Sequence, residues 1–271
     1  ENQFINLCSN HQITSNMVTQ YNELTDSQWE VIKEYLPVQR KRKYCLRVIV
    51  NAIFWILRTG AQWRNLESRF PAWQIVYYYY WKWEREGVWD RLNAKLNEWA
   101  RQEQEKAVSP TLVCVDSQSV KTGPFIKADK GWDGNKKING RKRHLLVDSL
   151  GLIREVLITG ANEHDGMQGK VLLQNMGHYA LKDVEKIVAD GSYNGTFWDY
   201  VTQELDIEVE IGARPETQKG FVPIKWRWVV ERTFGWFNYF RRLSKDVEKT
   251  AKSARTMILL ANCQTIINRI K

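Results

Sequence analysis

Apolar residues recur at three- and four-residue intervals through the first hundred positions, then give way to short unbroken apolar runs. Leu46, Ile49, Val50, Ile53, Phe54 and Leu57 follow the helical spacing, and Gly60 stands where such a helix would stop. Ahead of them, in "ELTDSQWEVIKEYLP", Thr25 and Gln28 have capping-box spacing and Pro37 marks a stop, which predicts a short helix. "AQWRNLESRFPAWQIVYYYYWKWEREGVW" predicts two more helices broken at Pro71. Its Tyr77–Trp83 cluster reads as core packing ahead of base stacking. "RQEQEKAVSP", Arg101 to Pro110, is charged and ends in proline, the composition of a boundary.

Beyond it, Leu112–Asp116, His144–Asp148 and Ile153–Ile158 read as strands, the last two joined by a turn at "DSLG". A helix over Asp165–Gly177, a strand over Val184–Asp190, a helix over Thr196–Leu205 and a strand over Ile207–Ile211 follow. Helices over Trp226–Arg242 and Ala251–Lys271 close the chain. This order predicts an α/β mixed sheet with helices on both faces, preceded by an all-α unit. The expected divisions are an N-terminal arm (1–22), a helical domain that resembles a helix-turn-helix unit (23–107) and a sheet domain (108–271).

Composition sharpens this picture. Eight of the thirteen Trp fall between Trp29 and Trp99, so the first hundred residues differ in kind from the rest. Forty Lys and Arg against thirty-one Asp and Glu leave a net charge of +9, which favours a polyanionic partner, nucleic acid ahead of a membrane surface. Cys8, Cys45, Cys114 and Cys263 are widely spaced with no CxxC pair, as expected of free thiols in a reducing compartment. A signal peptide and an apolar span of membrane length are both missing from the pattern, and a cytoplasmic location is expected.

Candidate chemistry lies in the carboxylates. "LVCVDS" and "KIVADGS" each end an apolar run on an aspartate, and "HLLVDS" has the same appearance. In a meander the second strand runs antiparallel to the first, so Asp148 should cap a turn at the far end from Asp116. A strand that follows a helical crossover should run parallel to the first, bringing Asp190 out beside Asp116. In the last-but-one helix, Trp226, Val229, Val230, Phe234, Phe237 and Phe240 share one face. Glu231 falls just off that face, near Arg227, Asn238 and Arg242, where it would be partly buried unless a cation received it. An ordinary surface glutamate paired with Arg227 or Arg232 is the alternative.

Taken in order, "VDSQSVK", "GRKRHLLVDSLGL", "ANEHD", "VADGSYNG" and "WVVERTFGWFNYFRRLSKD" resemble the catalytic domain of DDE-type bacterial insertion-sequence transposases, of the insertion-sequence-five-like group. The resemblance covers roughly Leu24 to the C-terminus. It implies a ribonuclease-H-like fold in which Asp116, Asp190 and Glu231 are the catalytic and metal-binding carboxylates. It further implies Mg²⁺, with Mn²⁺ able to substitute, and DNA cleavage followed by strand transfer. The partners implied are double-stranded transposon ends and target DNA bound by a homodimer, with association with the bacterial nucleoid. The family's tyrosine–arginine–glutamate–lysine signature is matched at Arg227, but Ile224 stands at the tyrosine position and Asn238 at the lysine position. Arg241 or Arg242 could replace that lysine.

Between Asp116 and His144 the chain holds eight Lys or Arg and two acidic residues, which reads as a flexible hairpin that meets DNA phosphates. Lys136, Lys137, Lys142 and Arg143 are its expected contacts, with His144, Arg232, Arg241 and Arg242 as further candidates. A solvated surface loop is the alternative. His164 and Asp165 form a pair common in the family, although Asp165 could equally be a helix N-cap. Two functional alternatives stay open: an inactive DNA-binding repressor or domesticated relative of the same fold, and a nuclease that cuts without joining.

Overall fold

The computed structural model describes residues 23–37, 43–212 and 226–270. The N-terminal arm, residues 39–42 of the basic run, Ile224 and the side chain of Arg227 lie outside the described residues. Among the described residues four helices come first: α1 (Asp26–Lys33), α2 (Leu46–Thr59), α3 (Trp73–Arg85) and α4 (Val88–Gln102). At the start of α1 the Thr25 hydroxyl accepts from the Gln28 amide while the Gln28 side chain accepts from the Thr25 amide. Gly60 ends α2 in the left-handed region, φ 72°, and its N–H donates to the Ile56 carbonyl at 2.9 Å.

The expectation of two helices broken at Pro71 needs correction. Only a single 3-10 turn, Trp63–Asn65, precedes the proline, and the two helices after it part at Gly87, whose φ is 64°. A left-handed residue costs glycine little and ends α3. The aromatic cluster divides by helical face. Tyr80 and Trp83 enter the core, whereas Tyr77, Tyr78 and Trp81 are exposed.

The sheet comprises β1 (Leu112–Lys121), β2 (Gly131–Asp133), β3 (Ile138–Asp148), β4 (Ile153–Gly160), β5 (Lys186–Asp190) and β6 (Glu208–Gly212). Its central order is β3–β1–β5–β6, with β4 and the short β2 both pairing with β3. β1, β3 and β4 form an antiparallel meander, while β5 and β6 run parallel to β1. This is the ribonuclease-H-like mixed sheet. The remaining helices are α5 (Asp165–Met176), α6 (His178–Leu181), α7 (Thr196–Asp199), α8 (Arg227–Trp236) and α9 (Ala251–Ile267). α7 leads directly into a π-helical turn, Tyr200–Glu204. α8 is shorter than expected, because two 3-10 turns, Phe237–Tyr239 and Arg241–Leu243, take over its second half.

Alternation along β1 divides the interior. Val113 and Val115 face a cluster with Leu172, Leu173, Tyr193 and Phe197, while Cys114 faces Leu145, Val147, Val188, Val229 and Val230. The second cluster continues without a break into the N-terminal helices, which pack on the sheet domain through it. A polar knot lies within it. Asn262 of α9 donates to Asn93 at 2.7 Å and Asn97 at 3.0 Å, and both of those donate to the Ile153 carbonyl. Three buried amides so paired hold α4, α9 and β4 in one register.

Candidate active site

Asp116 is not at a strand end. β1 continues to Lys121, paired with β3 throughout, so much of the expected loop is strand. What ends near Asp116 is the pairing on the other side. The β1–β5 ladder runs from Leu112 opposite Lys186 to Cys114 opposite Val188, and each strand carries an aspartate two residues past that last pair. Asp116 and Asp190 therefore sit level with each other where the two parallel strands part. Alternation turns both toward the Cys114 and Val188 face, which α8 covers through Val229 and Val230.

Local hydrogen bonds orient each carboxylate. Asp116 Oδ1 accepts from the Ser117 amide at 2.7 Å. Asp190 caps the 3-10 turn Gly191–Tyr193, where its Oδ1 accepts from the Ser192 amide at 2.9 Å and from the Ser192 hydroxyl. Below them lies Tyr193, fully buried. Burial raises its phenol well above the ordinary tyrosine range, and the charges on Asp116, Asp165 and Asp190 add to the effect. The phenol stays neutral beside three carboxylates. Gly169 makes room for its ring, since a Cβ there would lie 2.7 Å from Tyr193 Cε1.

α8 carries Glu231. The Cys114 thiol, pushed up to about 12 by burial and so kept protonated, donates to the Trp226 carbonyl at 3.5 Å at the start of this helix. Farther along, Thr233 donates to the Gly151 carbonyl at 2.8 Å and Arg232 to the Leu150 carbonyl at 2.9 Å. Glu231 lies between these anchors along the helix. Contrary to the expected partial burial, Glu231 is exposed. Among the described residues, no group of three or more His, Cys, Asp or Glu side chains is arranged to hold a metal ion.

Asp148 is the turn residue its position suggested. It pairs with Val113 at the opposite end of β1, accepts from the Leu150 and Leu152 amides at 2.9 and 3.0 Å, and meets Arg101 at 2.6 Å. Asp165, by contrast, is not an N-cap. His164 occupies that position, and Asp165 Oδ1 instead accepts from the Ser117 hydroxyl at 2.7 Å and the Lys142 ammonium at 3.0 Å. Sequence reasoning missed Ser117 and Tyr193. Their signal was their place inside the two aspartate motifs.

The cations divide sharply. Arg143 is buried, donates to the Leu243 carbonyl at 2.8 Å, and is lowered to about 10 by that burial. His144 is fully buried against Thr159 Oγ1 at 2.9 Å, and desolvation lowers it to about 4, so it is neutral near pH 7. Arg242 pairs with Glu248 at 2.7 Å and donates to the Ala61 carbonyl at 2.8 Å. Lys142 is buried on Asp165 and the Glu163 carbonyl. These four side chains, expected on phosphates, are engaged by the protein's own polar groups instead. Burying a cation is tolerated only when such partners meet it. Arg232 is partly covered, stacked over Trp228 and Trp236 at 4.5 and 5.0 Å. Lys136, Lys137 and Arg241 are exposed.

Among the described residues no helix is long and apolar enough to cross a membrane. Residues 24–93 match the family described as "Putative transposase of IS4/5 family (DUF4096)", and residues 108–266 match "Transposase DDE domain". A Burkholderia cepacia protein, "Putative transposase for insertion sequence element IS402", is 29% identical over 138 residues, 49% of this chain and 65% of that protein. "Uncharacterized protein y4sN" of Sinorhizobium fredii is 34% identical over 77 residues, 27% of this chain and 62% of that one. The matches thus span under two thirds of these relatives' lengths. Among solved structures, the piggyBac transposase synaptic complex with hairpin DNA aligns with a TM-score of 0.38 and 12% identity, over 73% of this chain and 48% of that one. The Mos1 strand transfer complex aligns with a TM-score of 0.26 and 13% identity, over 85% and 79%. With the DDE domain match extending over more than half of its length, the chain belongs to the transposase DDE domain family.

Proposed function

We propose that this protein is a DNA transposase that cleaves transposon ends and joins them to target DNA, with Asp116, Asp190 and Glu231 as its catalytic carboxylates. The observation that carries this reading is the shared level and face of Asp116 and Asp190 where β1 and β5 part. Two hard oxygen donors at a half-buried strand split suit Mg²⁺ or Mn²⁺, which commonly take only one or two carboxylates and complete their shell with water and phosphate. The residues therefore fit such an ion, and Glu231 would join them as α8 adjusts on DNA. When bound, divalent ions supply activation of the attacking oxygen and stabilisation of the leaving oxygen.

The chain's own part is to hold and orient. Paired β1 backbone and the Ser117 and Ser192 donors set the aspartates, which limits how far they can drift between water attack and 3′-hydroxyl attack. Lys136, Lys137 and Arg241 are exposed and would approach phosphate, whereas Arg232 is tied to the Leu150 carbonyl at the far end of β3. Reading of the terminal repeats falls to the N-terminal helices, and the two DNA ends would be held by a homodimer.

Wild-type protein incubated with Mg²⁺, its terminal repeats and a target duplex should give joined product. Asp116→Asn, Asp190→Ala and Glu231→Gln should each lower cleavage by roughly a thousandfold, equivalent to about 4 kcal/mol of barrier. Wild-type activity in Asp190→Ala would remove that residue from the site. Cutting without joining would make the protein a nuclease, and DNA binding with no cutting would make it an inactive relative.

A further inference from the structure

We propose that Asp165 is a positioning residue for Asp116, acting through Ser117; this rests on the reading of Asp116 as a catalytic carboxylate. Neighbouring residues of a strand point to opposite faces, so Asp116 looks toward α8 and Ser117 toward α5. Ser117 nevertheless touches both sides. Its backbone N–H donates to Asp116 Oδ1 at 2.7 Å, and its hydroxyl donates to Asp165 Oδ1 at 2.7 Å. Asp165 grips from beneath the residue whose amide orients the carboxylate above.

Asp165 is itself well held. Lys142 reaches it at 3.0 Å and also donates to the Glu163 carbonyl at 2.7 Å. Lys142 and Ser117 are both buried, which strengthens charge-assisted hydrogen bonds relative to water. The carboxylate also begins α5, where the helix dipole favours negative charge. Three sequence motifs meet here: "VDSQSVK" supplies Asp116 and Ser117, "GRKRH" supplies Lys142, and "ANEHD" supplies Glu163 and Asp165. At this level β5 has already separated from β1, so the amide of Ser117 is available to a side chain. Were Asp165 present only to neutralise Lys142, its loss would lower stability and leave Asp116 unaffected.

The test uses the full chain. Mn²⁺ binding to the free protein is followed by titration calorimetry, end cleavage is timed separately, and urea melts report stability. Ser117→Ala and Asp165→Asn are each expected to weaken Mn²⁺ binding and slow cleavage about tenfold, with DNA Kd unchanged. Ser117→Thr, which keeps the hydroxyl, should restore both. The double variant should be no worse than Asp165→Asn alone, because the two act as one unit. Asp165→Asn strands a buried ammonium and could unfold, whereas Ser117→Ala removes one hydroxyl and keeps the question answerable. Wild-type Mn²⁺ binding and cleavage in Ser117→Ala, with Asp116→Ala inactive, would overturn the proposal. So would fully additive losses. Should Asp116→Ala itself cleave, the parent reading falls, and this proposal falls with it.

Discussion

Three look-alike aspartates make different physical demands, and replacing Asp148 tests the distinction most directly. Its carboxylate is fully buried, accepts two backbone amides and faces Arg101, itself buried, at 2.6 Å. Asp148→Ala leaves the guanidinium without its counter-charge, a change that typically costs roughly 3–5 kcal/mol. The Leu150 and Leu152 amides lose their acceptor as well, at about 1 kcal/mol or more each, though the losses overlap. A fall of about 4 kcal/mol or more is expected, equivalent to a Tm drop on the order of 10 °C for a chain of this size. Asp148→Asn keeps an amide acceptor and should lose roughly half as much. Asp116→Ala removes a half-buried carboxylate outside the core and should stay within about 1 kcal/mol of wild type while abolishing cleavage. Urea melts followed by circular dichroism, run beside the cleavage assay, measure both. If Asp148→Ala melted within about 2 °C of wild type, the ion pair would carry no such weight and the reasoning would fail.

His144 should make stability pH-dependent in a defined direction. Burial depresses its folded pKa to about 4 against about 6.5 unfolded, so the unfolded chain binds the extra proton between those values. Its contribution is complete above about pH 6.5 and is lost as pH falls toward 4, amounting to roughly 3 kcal/mol. His144→Gln should flatten that part of the wild-type stability profile, and an unchanged slope would refute the assignment. Lys136 and Lys137, exposed beside the turn into β3, should each remove about one unit from the slope of log affinity against log salt when changed to alanine if each meets one phosphate. A salt slope equal to wild type in the double variant would place the DNA elsewhere.

Local chemistry made much of this fold legible. The Thr25–Gln28 cap, the α2 stripe ending at Gly60 and the apolar runs of β1, β3 and β5 depend on residues a few positions apart, and all stand where the pattern put them. The opposite fates of Asp116 and Asp148 were also readable, since strand direction follows from the meander and the crossover. The Pro71 reading failed for a local reason too, because Gly87 ends α3 more effectively than the proline divides what precedes it.

The destiny of the charges was not legible. Arg143 finds its carbonyl acceptor at Leu243, Arg242 finds one at Ala61, and Asp165 finds Ser117, all across long stretches of chain. A basic run looks the same whether its members meet phosphate or are buried inside the molecule. By itself the sequence determined most of the helices, the directions of β1, β3 and β5, and the pair of aspartates brought out side by side. Only the tertiary structure decided which cations stay exposed, which are buried on internal partners, and that Asp165 meets Ser117. The reason is physical: periodicity is a property of neighbours along the chain, whereas burial and partnership are set by what folding brings alongside.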